Sequence, residues 1–408
     1  MSEISPAVNR SSFRRFLTAA VISSAGTSVT AVAMPLLVVH LLDATPFEVG
    51  MVNAAQLIPY AVLGLFAGVY VDRWRRKPIL VWASVGRAVA LGTVPLLWLA
   101  GLLHIWVLVI VLLLFGSFSV FGFAAMQSLL PRLVPRSQLV KANARLDQAD
   151  AAATTLGPTV GGALVGLLGA PVVIAVDAIS YLANAALNSG LDVDEPRPAS
   201  RSRNLMNEVR EGLRFTYRHR TLNPLAISTH VWFLANGAAL TVLSLFALRS
   251  LGFSAYTYGL LLTTFGVASL LGASSAHAIG TRIGPGRTVI LARSLYPLTW
   301  LLVAFATDTL VGHLLLFAAL GLQGLAAGAE NANEMCYWQA LTPDELLGRV
   351  NAARRSVNRT MAALGAVTAG LLVGAIGERP TLIGVTIVFA IAAGTLAFSP
   401  LRHSARDL

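Results

Sequence analysis

Apolar runs of twenty residues or more recur from one end of this chain to the other. Each run is long enough to cross a bilayer core of about 30 Å as a helix. Hydrocarbon offers no partner for backbone N–H and C=O groups, so such segments must satisfy their own hydrogen bonds. Only 12% of the residues are charged, against about a quarter in soluble domains. The sequence therefore predicts an all-α membrane protein.

Twelve of these runs can be delimited as membrane spans. They cover residues 16–42, 47–71, 78–100, 103–127, 143–168, 171–191, 223–250, 255–279, 287–306, 310–337, 350–375 and 380–400. With the N-terminus in the cytoplasm, 26 Lys and Arg residues lie in cytoplasmic segments or at the cytoplasmic ends of spans, 2 lie on the outer side, and Arg87 and Arg293 lie deep within spans. Basic residues favour the cytoplasmic side of inserted helices. We expect a multi-pass protein of the cell membrane with both termini in the cytoplasm.

Composition argues against several other classes of protein. The net charge of +11 is explained by the excess of basic residues on the cytoplasmic side of the membrane. Nucleic-acid binding, the alternative explanation, needs a basic face on a folded soluble module, and the sequence offers none. Cys336 is the only cysteine, and the seven histidines have no metal-binding spacing. Neither lysine follows a glycine, so ATP-driven transport through a phosphate-binding loop is excluded on this chain. The first apolar run is too long for a signal peptide. We expect no metal, no cofactor and no nucleic-acid partner.

The chain contains an internal duplication. Val-Pro-Arg-Ser-Gln-Leu at 134–139 returns, offset by 208 residues, as Thr-Pro-Asp-Glu-Leu-Leu at 342–347. Secondary transporters are built from such repeats, with the binding site at their interface. The sequence therefore divides into six-helix bundles at 1–191 and 223–408, which form two pseudo-symmetric halves.

A polar, Arg-rich linker at 192–222 joins the halves. Leu205, Val209, Leu213 and Tyr217 recur every four residues within it, with arginines elsewhere around the helix. This spacing predicts an amphipathic helix on the cytoplasmic surface of the bilayer.

A charged motif lies between the second and third spans. Residues 68–77 read Gly-Val-Tyr-Val-Asp-Arg-Trp-Arg-Arg-Lys. They resemble the G-x-x-x-D-R-x-G-R-R/K signature of major facilitator superfamily transporters. The matching positions are Gly68, Asp72, Arg73, Arg76 and Lys77, whereas Arg75 stands where the signature has its second glycine.

Further elements extend the resemblance over essentially the whole chain. Leu-Gly-Pro-Thr-Val-Gly-Gly at 156–162 is similar to the drug/proton antiporter signature, and the chain looks most like the bacterial siderophore and macrolide exporters. The resemblance implies alternating access and proton antiport without a cofactor. Many proton-coupled drug exporters have an arginine in span four, and this span has none.

Ionisable residues within spans are costly and therefore candidates for function. Glu330 and Glu334 lie one turn apart in span ten, which the resemblance places at the central cavity. Such a pair suits proton uptake and release. The alternative is a structural pair with Arg355 or Arg359. Asp150 is a third candidate for proton coupling.

The charged motif is expected to act as a gate, in which Asp72 meets the N-terminal end of span eleven. The alternative is a solvated loop charge. Depth along their helices predicts a buried structural ion pair between Arg87 and Asp177, or a proton-relay role for Asp177. Arg293 has no predicted partner. The small residues Gly157, Pro158, Gly161 and Gly162 are expected to allow close helix packing.

The predicted binding cavity is largely apolar with a few polar groups, which suits a small amphipathic organic molecule. Its candidate residues are Ser24, Thr27, Phe115, Phe118, Trp232, Phe233, Asn236, Gln323 and Glu330. We therefore expect a monomeric exporter of a drug, siderophore or natural product, driven by protons, and not an enzyme. The alternatives are an importer or uniporter of a small nutrient, and a membrane enzyme or scaffold on this fold.

Overall fold

The computed structural model describes residues 10–193, Glu195 and residues 205–402, with the side chains of residues 10, 65, 68, 69, 72, 136, 205–209 and 402 outside that description. The described residues form helices and no strands. The first half contains α1 (Arg10–Leu36), α2 (Pro46–Ala55), α3 (Ile58–Arg73), α4 (Arg76–Leu99), α5 (Ile105–Leu133), α6 (Leu139–Leu168) and α7 (Ala170–Ser189). A linker helix, α8 (Leu205–Arg218), follows. The second half contains α9 (Leu222–Leu245), α10 (Ala255–Ile283), α11 (Pro285–Ala304), α12 (Leu310–Leu341), α13 (Asp344–Ile376) and α14 (Glu378–Ala397).

Ten of the described helices are long and apolar enough to cross a membrane. The two remaining predicted spans are α11, which carries Arg287 and Arg293, and the pair α2 and α3. The second predicted span is broken after Ala55, because Pro59 has no N–H to donate to the carbonyl of that residue. The helical membrane fold is confirmed, whereas the count of twelve spans stays a prediction.

The duplication is visible in the backbone as well as in the sequence. The first helix of each half ends in a π-helical turn, at Leu37–Leu41 after α1 and at Phe246–Ser250 after α9. In each turn a backbone N–H bonds the carbonyl five residues earlier, from Leu42 to Leu37 and from Leu251 to Phe246. The same irregularity at the same place supports two copies of one six-helix unit.

Small residues let the two halves approach closely along α6–α10 and α2–α13. A Cβ on Gly259 of α10 would lie 2.2 Å from the carbonyl oxygen of Pro158 on α6. A Cβ on Gly50 of α2 would lie 2.5 Å from the carbonyl oxygen of Ala366 on α13. These helix pairs approach by backbone contact, as small residues permit inside a membrane.

The apolar core is shared at one end of the bundle and divided at the other. At the end with the α1–α2 turn, the Asp43 end, one core includes Val39, Val52, Phe246 and Val373 from both halves. At the opposite end, the Arg73 end, Phe16 and Leu129 belong to a core of the first half. Trp338 belongs to a separate core of the second half. The halves are therefore joined most strongly at the Asp43 end.

Candidate functional site

Each half contains a cavity. The N-cavity has a volume of about 390 Å³ and is lined by residues that include Ser24, Thr27, Arg87, Met126, Asp150 and Tyr181. The C-cavity has a volume of about 330 Å³ and is lined by residues that include Trp232, Phe233, Arg293, Glu330, Glu334 and Arg354. Both cavities are large enough for a small organic group. Each contains an arginine from the third predicted span of its half, Arg87 on α4 or Arg293 on α11.

A buried ion cluster stands in the C-cavity. Arg293 of α11 donates through Nε to Oε1 of Glu330 on α12 at 2.6 Å, and its Nη2 also contacts that oxygen. The same Nη2 lies 2.9 Å from Oε2 of Glu334. Only 2% of the Arg293 side chain and 5% of the Glu330 side chain are exposed. One arginine therefore holds both carboxylates that the sequence singled out.

The remaining contacts of the cluster come from α9 and α13. Arg293 Nη1 donates to Ser228 Oγ at 2.9 Å and lies 3.3 Å from Thr229 Oγ1. Glu334 accepts hydrogen bonds from Thr229 and from the indole N–H of Trp338, at 3.1 and 3.0 Å. Arg354 of α13 lies 3.9 Å from Glu334, which brings two positive charges to two negative ones.

The cluster corrects the alternative that pairs these glutamates with Arg355 or Arg359. Those guanidinium groups lie over the rings of Phe123 and Tyr60, at 3.9 and 5.6 Å from the ring centroids. Arg293, for which the sequence suggested no partner, is the principal cation of the site. The internal repeat offered a signal for the importance of Arg293, since Arg87 and Arg293 occupy matching spans, 206 residues apart.

The predicted ion pair between Arg87 and Asp177 is not formed. Arg87 donates to the Ala83 carbonyl and to Ser84 Oγ, and its guanidinium lies 4.4 Å from the centroid of the Tyr181 ring. Asp177 is buried, accepts from Ser180 at 3.0 Å, and its Oδ2 has no hydrogen-bond partner. Arg87 and Asp177, both described, do not come within ion-pair distance of each other, because each side chain is turned toward other neighbours.

Polar groups line the N-cavity beside Arg87. Asp150 of α6 accepts a hydrogen bond from Ser24 of α1 at 2.9 Å. Thr27 and Tyr181 share a 2.7 Å hydrogen bond between their hydroxyls. Asn184, which the sequence did not single out, also lines this cavity. Asp150 is thus in a cavity, but in the opposite half from Glu330 and Glu334.

The residues predicted to bind substrate divide between the cavities. Ser24 and Thr27 line the N-cavity, and Trp232, Phe233 and Glu330 line the C-cavity. The other four line neither of these two cavities: Phe115 packs against Tyr181, Phe118 against Gly86, Gln323 is buried, and Asn236 is half-buried. Of the nine residues, therefore, two line the N-cavity and three line the C-cavity.

The charged motif adjoins the start of the linker. Glu195 accepts from the backbone N–H groups of Arg76 and Lys77, at 2.5 and 2.8 Å, where α4 begins. Lys77 Nζ also donates to the Leu191 carbonyl at 2.6 Å. Arg73 is exposed, and the Gly68 and Asp72 side chains lie outside the described part of the chain. A carboxylate therefore caps the helix that follows the motif.

The four small residues of α6 make close contacts. Gly157 and Gly161 face Ser28 and Val29 of α1, and Gly162 faces the Ala255 carbonyl of α10. The carbonyl of Pro158 faces Gly259. This segment of α6 is therefore wedged between its own half and the other half.

Helix α8 is attached to the second half at the Arg73 end. Gly212 packs on Arg349 of α13, and Glu211 forms an ion pair with that arginine. Tyr217 shares a 2.8 Å hydrogen bond with His230 Nε2, and His230 Nδ1 lies 2.7 Å from Asn358 Oδ1. Burial raises the pKa of Tyr217, so its hydroxyl stays protonated at neutral pH. Through His230, the linker helix is therefore connected to Asn358, which lines the C-cavity.

Two similar helical halves joined face to face, with a charged cavity in each, define a membrane transporter of the secondary type. The family model described as transmembrane secretion effector matches residues 1–407. The chain belongs to this family of major facilitator superfamily transporters, and that places it among transporters and not among enzymes.

Individual relatives cover most of their own length as well. The chain is 28% identical over 370 residues to the uncharacterized MFS-type transporter y4rN of Sinorhizobium fredii, covering 87% of each chain. It is 25% identical over 397 residues to the multidrug efflux pump Tap of Mycobacterium tuberculosis, covering 93% of this chain and 91% of Tap. The crystal structure of the nucleoside transporter NupG has the same fold, with a TM-score of 0.76 at 11% identity over 95% of this chain and 98% of NupG.

Proposed function

We propose that this protein exports small amphipathic organic compounds across the cell membrane in exchange for protons, working as a monomer with both termini in the cytoplasm. The names of relatives such as the multidrug efflux pump Tap support export. The aromatic side chains of Trp232 and Phe233 beside buried polar groups support an amphipathic substrate. A drug, siderophore or natural product would fit this description.

The observation that carries the proposal is the cluster of Arg293, Glu330 and Glu334. An ionisable group inside a membrane is costly unless it is paired, so a pair of carboxylates there calls for a function. With both glutamates ionised, Arg293 holds them together by hydrogen bonds to each. A proton on one of them removes a negative charge and frees part of the guanidinium.

Coupling follows if the two states of the cluster favour different conformations. Glu334 is less buried than Glu330 and also contacts Arg354, which lies on α13. Proton uptake would weaken its hold on both arginines and change the position of α13 relative to α11 and α12. Because α13 also packs on α2 of the first half, such a shift would reach the interface between the halves.

The division of the apolar core between the two ends of the bundle indicates which side of the transporter is open. The distribution of basic residues supports a cytoplasmic position for the Arg73 end. The halves share their core at the opposite end, so this arrangement corresponds to a cytoplasm-facing state. The charged motif and Asp72 would close that side in the other state, as the sequence resemblance implies.

Transport by purified protein in liposomes tests the proposal. A pH gradient is imposed, and uphill movement of a panel of acidic, neutral and basic amphipathic compounds is followed. Glu330→Gln is expected to abolish gradient-driven movement while downhill exchange of the same compound continues. The control is Glu378→Gln, which alters a carboxylate bonded to Ser250 at the Asp43 end, away from the cluster.

Several outcomes would contradict the proposal in different ways. Uphill movement that survives in Glu330→Gln would move coupling to Glu334 or Asp150. Downhill movement of the compound at a rate that does not depend on the pH gradient would favour a uniporter. Accumulation in the direction of the proton flow would favour an importer.

A further inference from the structure

The internal repeat provides a template for the surroundings of Arg87. Gly122 and Met126 lie 208 residues before Glu330 and Glu334, the offset that also relates the repeated turns. The geometry agrees, since a Cβ on Gly122 would lie 3.2 Å from Arg87 Nη2. Gly122 thus faces Arg87 just as Glu330 faces Arg293. The first half has kept the arginine and has no carboxylate at either position.

Arg87 consequently has hydrogen-bonding capacity to spare. A guanidinium has five N–H donors, and the described bonds of Arg87 use Nε and Nη2, toward Ala83 and Ser84. Both acceptors are neutral, and no carboxylate lies within 4.0 Å of Arg87 among the described residues. A guanidinium group is suited to bidentate binding of a carboxylate.

Other charges around the N-cavity leave a positive balance. Asp150 lines it and is bonded to Ser24, and Arg359 lines it from the second half. Asp177 is not among the lining residues and faces Gly26 of α1. The cavity itself therefore presents two guanidinium groups and one carboxylate.

The N-cavity also has room and apolar surface next to Arg87. Gly122 lines the cavity without a side chain, so that the Arg87 guanidinium lies directly against it and no carboxylate is interposed, as Glu330 is in the second half. Phe16, Phe123 and Tyr181 line the cavity of about 390 Å³ together with the hydroxyl groups of Ser23 and Ser24. An aromatic ring with one acidic group matches this combination of surfaces.

We propose that the N-cavity binds the acidic group of an aromatic or amphipathic organic acid, with Arg87 as its anchor. The carboxylate of the ligand takes the place that Glu330 occupies beside Arg293. This inference rests on the proposed transport function and specifies the class of substrate. It separates the two arginines, because one binds the ligand and the other binds side chains of the protein.

Binding to the purified protein in detergent tests the inference without any transport. The probes are 2-naphthoate, its neutral isostere 2-naphthamide, and a (2-naphthylmethyl)trimethylammonium salt, each titrated by calorimetry at neutral pH. The wild-type protein is expected to bind 2-naphthoate about tenfold more tightly than 2-naphthamide, as one charge-assisted contact allows. The cation is expected to bind most weakly.

Substitutions at two positions assign the preference to Arg87. Arg87→Met is expected to remove it, and Arg87→Lys to keep part of it. Met126→Glu places a carboxylate where the second half has Glu334, and it is expected to remove the preference by pairing with Arg87. Met126→Gln has nearly the same size without the charge, and should keep it.

The outcomes separate this inference from the proposed function. Equal binding of 2-naphthoate and 2-naphthamide, or no binding of 2-naphthoate at millimolar concentration, overturns the acid site while leaving proton-driven export in liposomes untouched. A preference that persists in Met126→Glu overturns the role of Arg87. If Arg87→Met does not fold, the pair Met126→Glu and Met126→Gln decides the matter.

Discussion

Arg87 and Arg293 occupy matching helices of two repeated halves, and their surroundings differ completely. Arg293 is buried and bonded to Glu330 and Glu334, whereas Arg87 contacts a carbonyl, a hydroxyl and the ring of Tyr181. The change lies in α5 and α12, where Gly122 and Met126 stand in place of two glutamates. A duplicated scaffold can thus keep one charge in both copies and let its neighbours decide what that charge does.

Removal of each arginine should give the largest contrast between the halves. Arg293→Met leaves two buried carboxylates without their principal cation, which typically costs about 3–5 kcal/mol. Arg87→Met breaks no ion pair and should cost far less. Thermal unfolding of both variants in the same detergent measures the difference. Similar melting temperatures would mean that the two environments are energetically alike.

Removal of the whole charged cluster should recover part of the loss. Arg293→Met combined with Glu330→Met and Glu334→Met removes three charges and leaves only Arg354, whose guanidinium lies over the Trp338 ring. Well-packed apolar replacements of buried ion groups are often neutral or stabilising by about 1–4 kcal/mol. We expect the triple variant to melt above Arg293→Met and to show no gradient-driven export. A triple variant less stable than the single one would indicate that the cluster also holds α11 and α12 together.

The starts of α4 and α11 provide a second contrast between the halves. Glu195 accepts two backbone N–H groups at the start of α4, whereas α11 begins at Pro285, which has no N–H to satisfy. Glu195→Gln leaves one acceptor oxygen for two donors and should lower stability by about 1–2 kcal/mol.

Chemical denaturation of the purified protein measures this effect, and turnover at saturating substrate reports on the adjacent charged motif. Asp344→Asn, in the first turn of α13, is a control at another helix start on the Arg73 end. If Glu195→Gln lowers the free energy of unfolding no more than the control does, the Glu195 cap does not contribute to stability.

The smallest expected effect is the coupling between Arg87 and Asp177. Since they form no ion pair, Arg87→Leu and Asp177→Leu should show a coupling in a double-mutant cycle well below the roughly 3–5 kcal/mol lost when a buried ion pair is broken. A double variant clearly more stable than the sum of the singles predicts would show that the pair forms in another conformation of the transporter. Unfolding of the four proteins under identical conditions gives the answer.

Much of the fold could be predicted from the sequence because hydrocarbon leaves few alternatives. The apolar runs required helices, and the small residues at 157–162 indicated a close helix contact. The break in the second predicted span was missed, although Pro59 gave a local signal for it. The helices also extend beyond the apolar runs. Helix α13 begins at Asp344, before the predicted span, because Asp344 and Glu345 in its first turn interact favourably with the positive end of the helix dipole.

The sequence by itself determined the helical membrane fold, the two-fold repeat and the pairing of Glu330 with Glu334 on one face of a helix. Only the tertiary structure decided that Arg293 joins those glutamates and that Arg87 misses Asp177. Position along a helix fixes depth at about 1.5 Å per residue, but each residue also turns the side chain by roughly 100°. Which faces meet depends on how every helix is rotated against its neighbours, and that is set by packing throughout the bundle.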